Sequence, residues 1–338
     1  MHLLTFMALL APPFIASVQA VTLFEGLIAA NATKFAQFIQ CDPNLIAIFT
    51  SPDVKTVFAP NDDAMENFNE TDFRRSLRLF ARQATNKRAH QQCSDQEASV
   101  AQQQTPGGTV VPSTLPADGG GPSPIVAKGS APPPSGNGTS GNGTTKRQVS
   151  GGPVHLFSGL GNNVTLVKGD TPYDNGLIQT LDGFFTVPLS FSDTLSTIGV
   201  TGFASAIQNS TSNLTSVVAA PLPAGVTVFV PSDEAFAAAG GGLKVNLAYH
   251  IVPNFLGLTP NLKDGVVLTT QAGTTLTVRV RGGDIFLGQA QILANDVVTS
   301  NGAIQIIDSV YQSKNAADSE TLATRTPIAK WQTDTLPF

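Results

Sequence analysis

Hydrophobic positions follow two different spacings along the chain, and the same order of spacings occurs twice. Residues 23–40 (LFEGLIAANATKFAQFIQ) and 191–208 (FSDTLSTIGVTGFASAIQ) place apolar side chains near the spacing of an amphipathic helix. Residues 265–308 alternate apolar and polar positions in short runs divided by AG, GG and NG dipeptides, which is typical of antiparallel hairpins. The pattern predicts an α+β fold in which helices come first and a sheet follows.

Two segments of the sequence also return almost unchanged. TVFAPNDDAM at 56–65 returns as TVFVPSDEAF at 227–236, and NGLIQTLD at 175–182 returns as NGAIQIID at 301–308. A chain of 338 residues is long enough for two domains, so the repeats indicate a duplicated unit. Each NG dipeptide is predicted to form a tight turn before the closing strand of its unit.

The first repeated segment has the pattern of a strand that runs into a helix. Asn61 and Ser232 are good N-cap residues, and carboxylates in the first helical turn favour the positive end of the helix dipole. The acidic residues concerned are Asp62, Asp63, Asp233 and Glu234. Capping explains them, and we prefer it to a catalytic or calcium-binding pair.

The two copies differ in length. Thr56 lies 119 residues before Asn175, whereas Thr227 lies 74 residues before Asn301, so the first copy carries 45 extra residues. Residues 99–152 are rich in Gly, Pro, Ser and Thr, and this composition predicts a disordered, glycosylated insert within the first domain. Lys146-Arg147 in it could be cut by a processing protease, although a chance occurrence is preferred.

Composition points to an exported protein. Charged residues make up 13% of the chain, whereas Gly (31) and Pro (23) are plentiful. The net charge of −5 argues against general binding of nucleic acid, which depends on basic residues that release phosphate counterions. Residues 1–20 contain a short apolar run followed by small residues at the expected signal-peptidase cleavage site, which is typical of a signal peptide. A membrane anchor is the less favoured alternative.

Other features fit the secretory route. Residues 313–338 form a polar tail without the hydrophobic stretch that a lipid-anchor signal requires. Seven N-x-S/T sequons are candidate glycosylation sites: Asn31, Asn69, Asn137, Asn142, Asn163, Asn209 and Asn213. The expected location is therefore extracellular or in the cell wall.

The only cysteines are Cys41 and Cys93. In an oxidising compartment they are predicted to form one disulfide, which would stabilise the fold by roughly 3 to 4 kcal/mol. Two buried thiols are the alternative.

A basic stripe is predicted on residues 73–88. Arg74, Arg78 and Arg82 fall on one face of a helix whose opposite face is apolar. This patch could hold anionic glycans or acidic lipid headgroups, although a solvated outer face of a core helix is the preferred interpretation.

The sequence does not predict an enzyme. Ser158 lies in LFSGLG, which lacks the first glycine of a nucleophile elbow, and His90 and His155 have no partners at metal-ligand spacing. No phosphate-binding loop occurs. We therefore expect no cofactor, no metal and no catalytic residue.

Several segments together carry a resemblance to a known family. TVFVPSDEAF, the Tyr249-His250 pair in LAYHIVP, and the closing NGAIQIID resemble the fasciclin-like domain. Residues 189–312 resemble it throughout, whereas residues 21–188 depart in the middle, where LRLFARQ stands in place of the tyrosine-histidine helix. Both copies also have Gln, at 179 and 305, where many family members have His.

The resemblance implies an α/β sandwich used outside cells for adhesion or for contact with matrix or wall polymers, without catalysis. In the family the tyrosine-histidine segment is linked to adhesion, and this role would fall on Tyr249, His250, Ile251 and Val252. A Tyr-His pair among apolar residues is more often part of a core, and that interpretation is preferred.

The leading hypothesis is therefore a secreted, N-glycosylated adhesion protein with two tandem fasciclin-like domains that bind extracellular glycans or proteins. The alternatives are a carrier of lipids or small molecules with a pocket between helices and sheet, and, less favoured, a hydrolase.

Overall fold

The fold is taken from a computed structural model of the chain. It describes residues 21–67, 81–105, 107–130, 152–210, 214–240 and 246–311, with the backbone alone at 81–84 and 294–295. The predicted signal peptide, the polar tail and Lys146-Arg147 lie outside these residues.

The first domain contains a group of helices followed by a sheet. Its helices are α1 (Leu23–Ala29), α2 (Thr33–Gln40), α3 (Pro43–Phe49), α4 (Asp62–Asn67), α5 (Ala81–Gln91) and α6 (Val100–Gln103). Its strands are β1 (Thr56–Pro60), β2 (Cys93–Ser94), β3 (Thr109–Pro116), β4 (Pro122–Gly129), β5 (Val154–Phe157), β6 (Asn163–Tyr173) and β7 (Gly176–Leu181).

The second domain repeats this arrangement. Its helices are α7 (Phe191–Thr197), α8 (Thr201–Gln208), α9 (Leu214–Val218) and α10 (Asp233–Ala238), with short 3-10 helices at Leu247–His250 and Thr259–Asn261. Its strands are β8 (Val226–Pro231), β9 (Ile251–Pro253), β10 (Val267–Thr269), β11 (Thr275–Arg281), β12 (Asp284–Leu287), β13 (Ala290–Thr299) and β14 (Gly302–Ile307).

The two sheets have the same topology. The first runs β2-β1-β7-β6-β5-β4-β3 and the second runs β9-β8-β14-β13-β12-β11-β10. In each, the strand of the TVF repeat pairs parallel with the closing strand, and the two strands on either side of the NG turn pair antiparallel. The α+β prediction is confirmed, and the sequence repeats mark a repeat of the fold.

The prediction of a disordered insert over residues 99–152 is wrong for its first part. Residues 100–129 form α6, β3 and β4, and Ile125 and Val126 on β4 are fully buried. These strands are the counterparts of β10 and β11, so they belong to the repeat. Part of the extra length of the first copy is residues 130–153, which connect β4 to β5. In the second domain the equivalent connection, from β11 to β12, consists of Gly282 and Gly283 alone.

The helices and the sheet of each domain enclose a core. In the first domain the helix residues Leu27, Phe35 and Phe49 pack with Ile178 of β7. In the second domain the helix residues Leu195 and Phe203 pack with Val228 of β8 and Ile304 of β14. Burial of such side chains supplies most of the stability, at about 25 cal/mol per Å² of apolar surface.

The polar residues of the repeated segments hold equivalent bonds. Asn175 Nδ2 donates to the carbonyl of Val54 (2.8 Å), and Asn301 Nδ2 donates to the carbonyl of Val218 (2.7 Å). Asp182 and Asp308, at the other end of the repeat, each accept a backbone N–H from the neighbouring strand. NG-x-IQ-x-x-D thus recurs because it fixes the closing strand at both ends.

The predicted N-caps are confirmed, and one acidic residue of each pair has a second task. Asn61 Oδ1 accepts from Ala64 N (2.7 Å), and Ser232 Oγ accepts from Ala235 N (3.2 Å). The carboxylate of Asp62, in the first turn of α4, also accepts a hydrogen bond from the backbone N–H of Lys34 at the start of α2. In the same way, the carboxylate of Asp233 in α10 accepts from the backbone N–H of Gly202 at the start of α8. Each carboxylate therefore ties two helix N-termini together.

Candidate functional site: the histidine segment and the domain junction

The Tyr-His segment is a 3-10 turn that leads into the edge strand β9. His250 is fully buried, and its ring centroid lies 5.5 Å from that of Phe203 and 4.8 Å from that of Tyr311. The N–H of Tyr311 donates to His250 Nε2 (3.1 Å). Nδ1 therefore carries the ring proton and donates it to the carbonyl of Phe229 (2.8 Å).

These contacts fix His250 in its neutral form. Burial lowers the pKa of His250 to about 4, and the two backbone hydrogen bonds offset only part of that effect. Both ring nitrogens are engaged and no face of the ring meets solvent. The geometry therefore gives His250 a structural role, as a polar link between β8, β9 and the end of the domain.

The rest of the candidate adhesion segment follows the same pattern. Ile251 and Val252 are buried, and only Tyr249 is half-buried. A partner that docks on the folded domain can therefore reach Tyr249 but not the three residues after it.

The first domain has a counterpart of His250, although not the one expected from the sequence. In both domains the residue before the edge strand bonds the carbonyl of the repeated Phe: Gln92 Nε2 donates to Phe58 O (2.7 Å), as His250 does to Phe229. Gln92 Oε1 also accepts from Phe185 N (2.9 Å), which matches the bond from Tyr311. The expectation that LRLFARQ replaces the tyrosine-histidine helix is wrong, because Gln92 occupies that place.

Gln179 and Gln305 each pair with an aspartate on the adjacent strand. Asp296 N donates to Gln305 Oε1 (3.1 Å), and Gln305 Nε2 donates to Asp296 Oδ1 (3.2 Å). Asp170 and Gln179 make the same two bonds. Both aspartates have positive φ, 53° and 64°, so each stands at an irregularity of its strand that the glutamine holds in place.

Asp296 also anchors the junction between the domains. It is fully buried and accepts from Thr259 N (2.7 Å) and Thr259 Oγ1 (2.5 Å). Lys128 of β4, in the other domain, forms an ion pair with it while its ammonium lies 4.5 Å from the centre of the Phe157 ring. Removing one partner of such a buried pair costs roughly 3 to 5 kcal/mol, because the other charge is left without compensation.

Apolar residues surround this ion pair. Val126 of the first domain is buried together with Leu258, Val298 and Ala303 of the second. The hairpin that contains β3 and β4 adds a backbone bond at its tip, from Asp118 N to Ser300 O (2.8 Å). The junction thus combines an apolar core, a buried ion pair and a backbone bond, so the two domains are joined directly as well as through the chain.

The predicted disulfide is not formed in the structure. Cys93 is fully buried at the start of β2 and Cys41 is exposed at the end of α2, and both are free thiols. Burial raises the pKa of the Cys93 thiol far above its usual range, so the group is inert.

The other predicted surface sites are placed only in part. Asn31, Asn163 and Asn209 are exposed, as glycosylation requires, while Asn69, Asn137, Asn142 and Asn213 lie outside the described residues. Arg74, Arg78 and the side chain of Arg82 also lie outside them, so the anionic-glycan patch stays a prediction.

The residues considered for hydrolysis or for metal binding have other partners. Ser158 is buried and its Oγ accepts from Thr186 N (3.0 Å), which ties β5 to the segment between the domains. His90 Nδ1 lies 3.0 Å from Thr114 Oγ1, and His155 Nδ1 lies 3.5 Å from Thr165 Oγ1. Each of these contacts joins neighbouring elements of the first domain.

An apolar recess bears on the carrier hypothesis. It lies between α2, α3 and α5 and is lined by Phe35, Phe38, Leu45, Phe49 and Phe184, with Arg88 at its edge. It has room for one water-sized molecule, which is far below what a lipid needs.

Two searches confined to the described residues were negative. No group of three or more His, Cys, Asp or Glu side chains there could hold a metal ion. Within the same residues, no helix is long and apolar enough to cross a membrane.

The fold defines a class of protein: a tandem pair of α+β domains with identical strand order, joined at a buried junction. Comparison with known proteins then gives a family for the second domain. Residues 190–312 match the family model described as "Fasciclin domain", so the second domain is a fasciclin domain. The first domain repeats its topology and its polar bonds, and the chain thus holds two tandem fasciclin-like domains.

Curated relatives carry the same family name. The chain is 34% identical over 179 residues to "Fasciclin-like arabinogalactan protein CTB11" of Cercospora beticola, which covers 50% of this chain and 46% of the relative. It is 28% identical over 174 residues to "Fasciclin-like arabinogalactan protein" of Arthroderma benhamiae, covering 48% and 40%. The matched stretch thus spans less than half the length of each relative.

One solved structure is similar over most of the chain. It is a FAS1 domain pair from the insect cell adhesion molecule fasciclin I, with 16% identity, a TM-score of 0.37, and coverage of 86% of this chain and 99% of that one.

Proposed function

We propose that the chain is a secreted, non-enzymatic adhesion module that binds extracellular matrix or cell-wall glycans or proteins through its two fasciclin-like domains. The observation that carries the proposal is the domain junction. The Lys128–Asp296 ion pair and the apolar residues around it hold two domains of one adhesion-type family at a fixed spacing. Two weak contact surfaces at fixed spacing increase the overall affinity, because once the first surface is bound the second binds at a high effective concentration.

Three further observations support this function. The second domain matches the fasciclin family, and two curated relatives are named fasciclin-like arabinogalactan proteins. The sequons at Asn31, Asn163 and Asn209 are exposed. The titratable His250 is enclosed in the core, where it serves packing rather than chemistry.

Binding of the purified, secreted chain to cell-wall material, matrix and cell surfaces tests the proposal. The wild-type chain is compared with Lys128→Glu, which places two carboxylates at the junction, and with Lys87→Glu, which makes the same charge change at an exposed position on α5. Circular dichroism confirms that each variant is folded.

We expect the wild type and Lys87→Glu to bind equally and Lys128→Glu to bind about tenfold more weakly, or about 1.4 kcal/mol, because the two contacts become uncoupled. No binding by the wild type to any of these materials would refute the adhesive function. Equal binding by all three chains would refute the role of the junction.

A further inference from the structure

The turn between the first two helices of the first domain is built around an asparagine. The N–H of Asn31 donates to Ile28 O (3.1 Å). The next N–H, that of Ala32, donates to Leu27 O (2.9 Å). These two bonds form a Schellman motif at the end of α1, which requires a left-handed residue at the position of Asn31. The φ of Asn31 is accordingly 63°.

The second domain has a glycine at the equivalent position. Gly199 follows α7 with a φ of 76°. The positions are equivalent because Asn31 and Gly199 each lie nine residues after the hydroxyl residue that caps the helix, which is Thr22 in α1 and Ser190 in α7. Glycine is the usual residue in this conformation, and asparagine tolerates it. The backbone therefore admits an asparagine here, but it does not require one.

The threonine that completes the Asn31 sequon differs from its counterpart in its bonds. Thr33 and Thr201 are the first residues of α2 and α8. Thr201 Oγ1 donates to Asp233 Oδ2 (3.1 Å), whereas the Thr33 hydroxyl makes no hydrogen bond within the part of the chain that the structure describes. Helix packing thus accounts for Thr201, while the sequon accounts for Thr33, since its third residue must be Ser or Thr. Asn31 is exposed, as a glycan requires.

The surface next to this turn differs between the domains in the same direction. In the last turn of α1, Ile28 is 57% exposed and Ala29 is exposed beside it. The equivalent residues of α7 are Ser196 and Thr197, which are also exposed. The end of the helix is therefore apolar where the sequon is present and polar where a glycine replaces the asparagine. A sugar ring has an apolar face of C–H groups, and burial of apolar surface against that face stabilises the contact.

We propose that Asn31 carries an N-linked glycan whose first N-acetylglucosamine packs on Ile28, so that the sugar completes the surface of the first domain. In the second domain Ser196 faces water directly and needs no such cover. Glycosylation of the sequon takes place in the secretory pathway, so this assignment rests on the secretory part of the proposed function and not on adhesion.

Glycopeptide mass spectrometry of the full chain, secreted from a eukaryotic host, tests whether the site is used. We expect the peptide that contains Asn31 to carry N-acetylglucosamine. A secreted chain in which Asn31 is unmodified overturns the proposal.

Thermal unfolding of the secreted chain tests the contact with Ile28. Ile28→Ser is measured in the wild type and in two chains that lack this glycan: Asn31→Gly, which keeps a residue suited to the left-handed conformation, and Thr33→Ala, which keeps the asparagine. We expect Ile28→Ser to lower the midpoint by roughly 2 to 4 °C in the wild type, and by less than about 1 °C in the two chains without the glycan. Asn163→Gln removes a different exposed sequon and is the control, in which Ile28→Ser should keep its full effect.

The second domain allows the converse experiment. Gly199→Asn creates a sequon with Thr201, and Ser196→Ile adds the apolar side chain on α7. We expect Ser196→Ile to raise the unfolding midpoint only in the chain that is glycosylated through Gly199→Asn.

Two results overturn the proposed contact. One is an equal effect of Ile28→Ser with and without the Asn31 glycan, and the other is a glycosylated Gly199→Asn chain that Ser196→Ile does not stabilise. Occupancy and unfolding temperature are measured on the chain alone, so failure here is distinct from a failure to bind external material.

Discussion

His250 makes the second domain sensitive to acid at a position where the first domain has the uncharged Gln92. In the folded protein the pKa of His250 is lowered to about 4 by burial, from a usual value of 6.5. The unfolded chain therefore takes up a proton as the pH falls through 6.5, while the folded domain stays neutral. The part of the stability that depends on neutral His250 is complete above pH 6.5, and it is lost progressively as the pH falls to about 4.

The size of the effect follows from the shift. Each unit of pKa difference corresponds to 1.36 kcal/mol, so the shift of His250 costs the fold about 3 kcal/mol between neutral pH and pH 4. Gln92 keeps the same two backbone partners in the first domain without a titratable group. His250→Gln should therefore preserve the bonds and remove this pH dependence.

Urea unfolding followed by circular dichroism at pH 7 and pH 4 measures the difference. The wild type should lose about 3 kcal/mol more between the two pH values than His250→Gln, because protonation of carboxylates affects both proteins alike. Gln92→His is the reciprocal variant, and it should add a similar pH dependence to the first domain. If His250→Gln loses as much stability as the wild type, the assignment of a neutral, buried His250 is refuted.

Three further predictions concern single residues. Asn301→Ala removes the bond to Val218 O from a buried site, and urea unfolding should show a loss of about 2 kcal/mol. In Gly302→Ala the added Cβ would lie 1.9 Å from the carbonyl oxygen of Val226, so the parallel β14-β8 pair must shift and thermal unfolding should move to lower temperature, whereas an unchanged midpoint would contradict this register. Maleimide should label Cys41 in the native chain and Cys93 only after denaturation; loss of native Cys41 labelling that a reductant restores would indicate a disulfide instead.

Features with a local signature could be predicted from the sequence. The helical spacing, the turn dipeptides and the repeated segments predicted the duplication and the α+β class, and the N-caps at Asn61 and Ser232 formed as expected. Local chemistry does not show that Asp62 and Asp233 also bind a second helix, because that requires the packing of α2 and α8.

Features that depend on contacts between distant residues could not be predicted. The glycine and proline content of residues 99–130 resembled that of a disordered segment, although Ile125 and Val126 gain enough burial there to order the hairpin. Gln92 makes the hydrogen bonds that His250 makes in the second domain, but its side chain is of a different type, so no shared sequence motif indicates that the two positions are equivalent. The partners Lys128 and Asp296 belong to different domains, and neither residue has a local pattern that indicates the other.

The distance between the two domains tests the central claim, that the tandem pair is held as one rigid unit by its junction. A spin label on exposed Cys41 and a second on Ser196→Cys in α7 report this distance by pulsed electron paramagnetic resonance, while buried Cys93 remains unlabelled. We predict a single narrow distance distribution, which Lys128→Glu broadens. A broad distribution in the protein with native Lys128, unchanged by that substitution, would contradict the account.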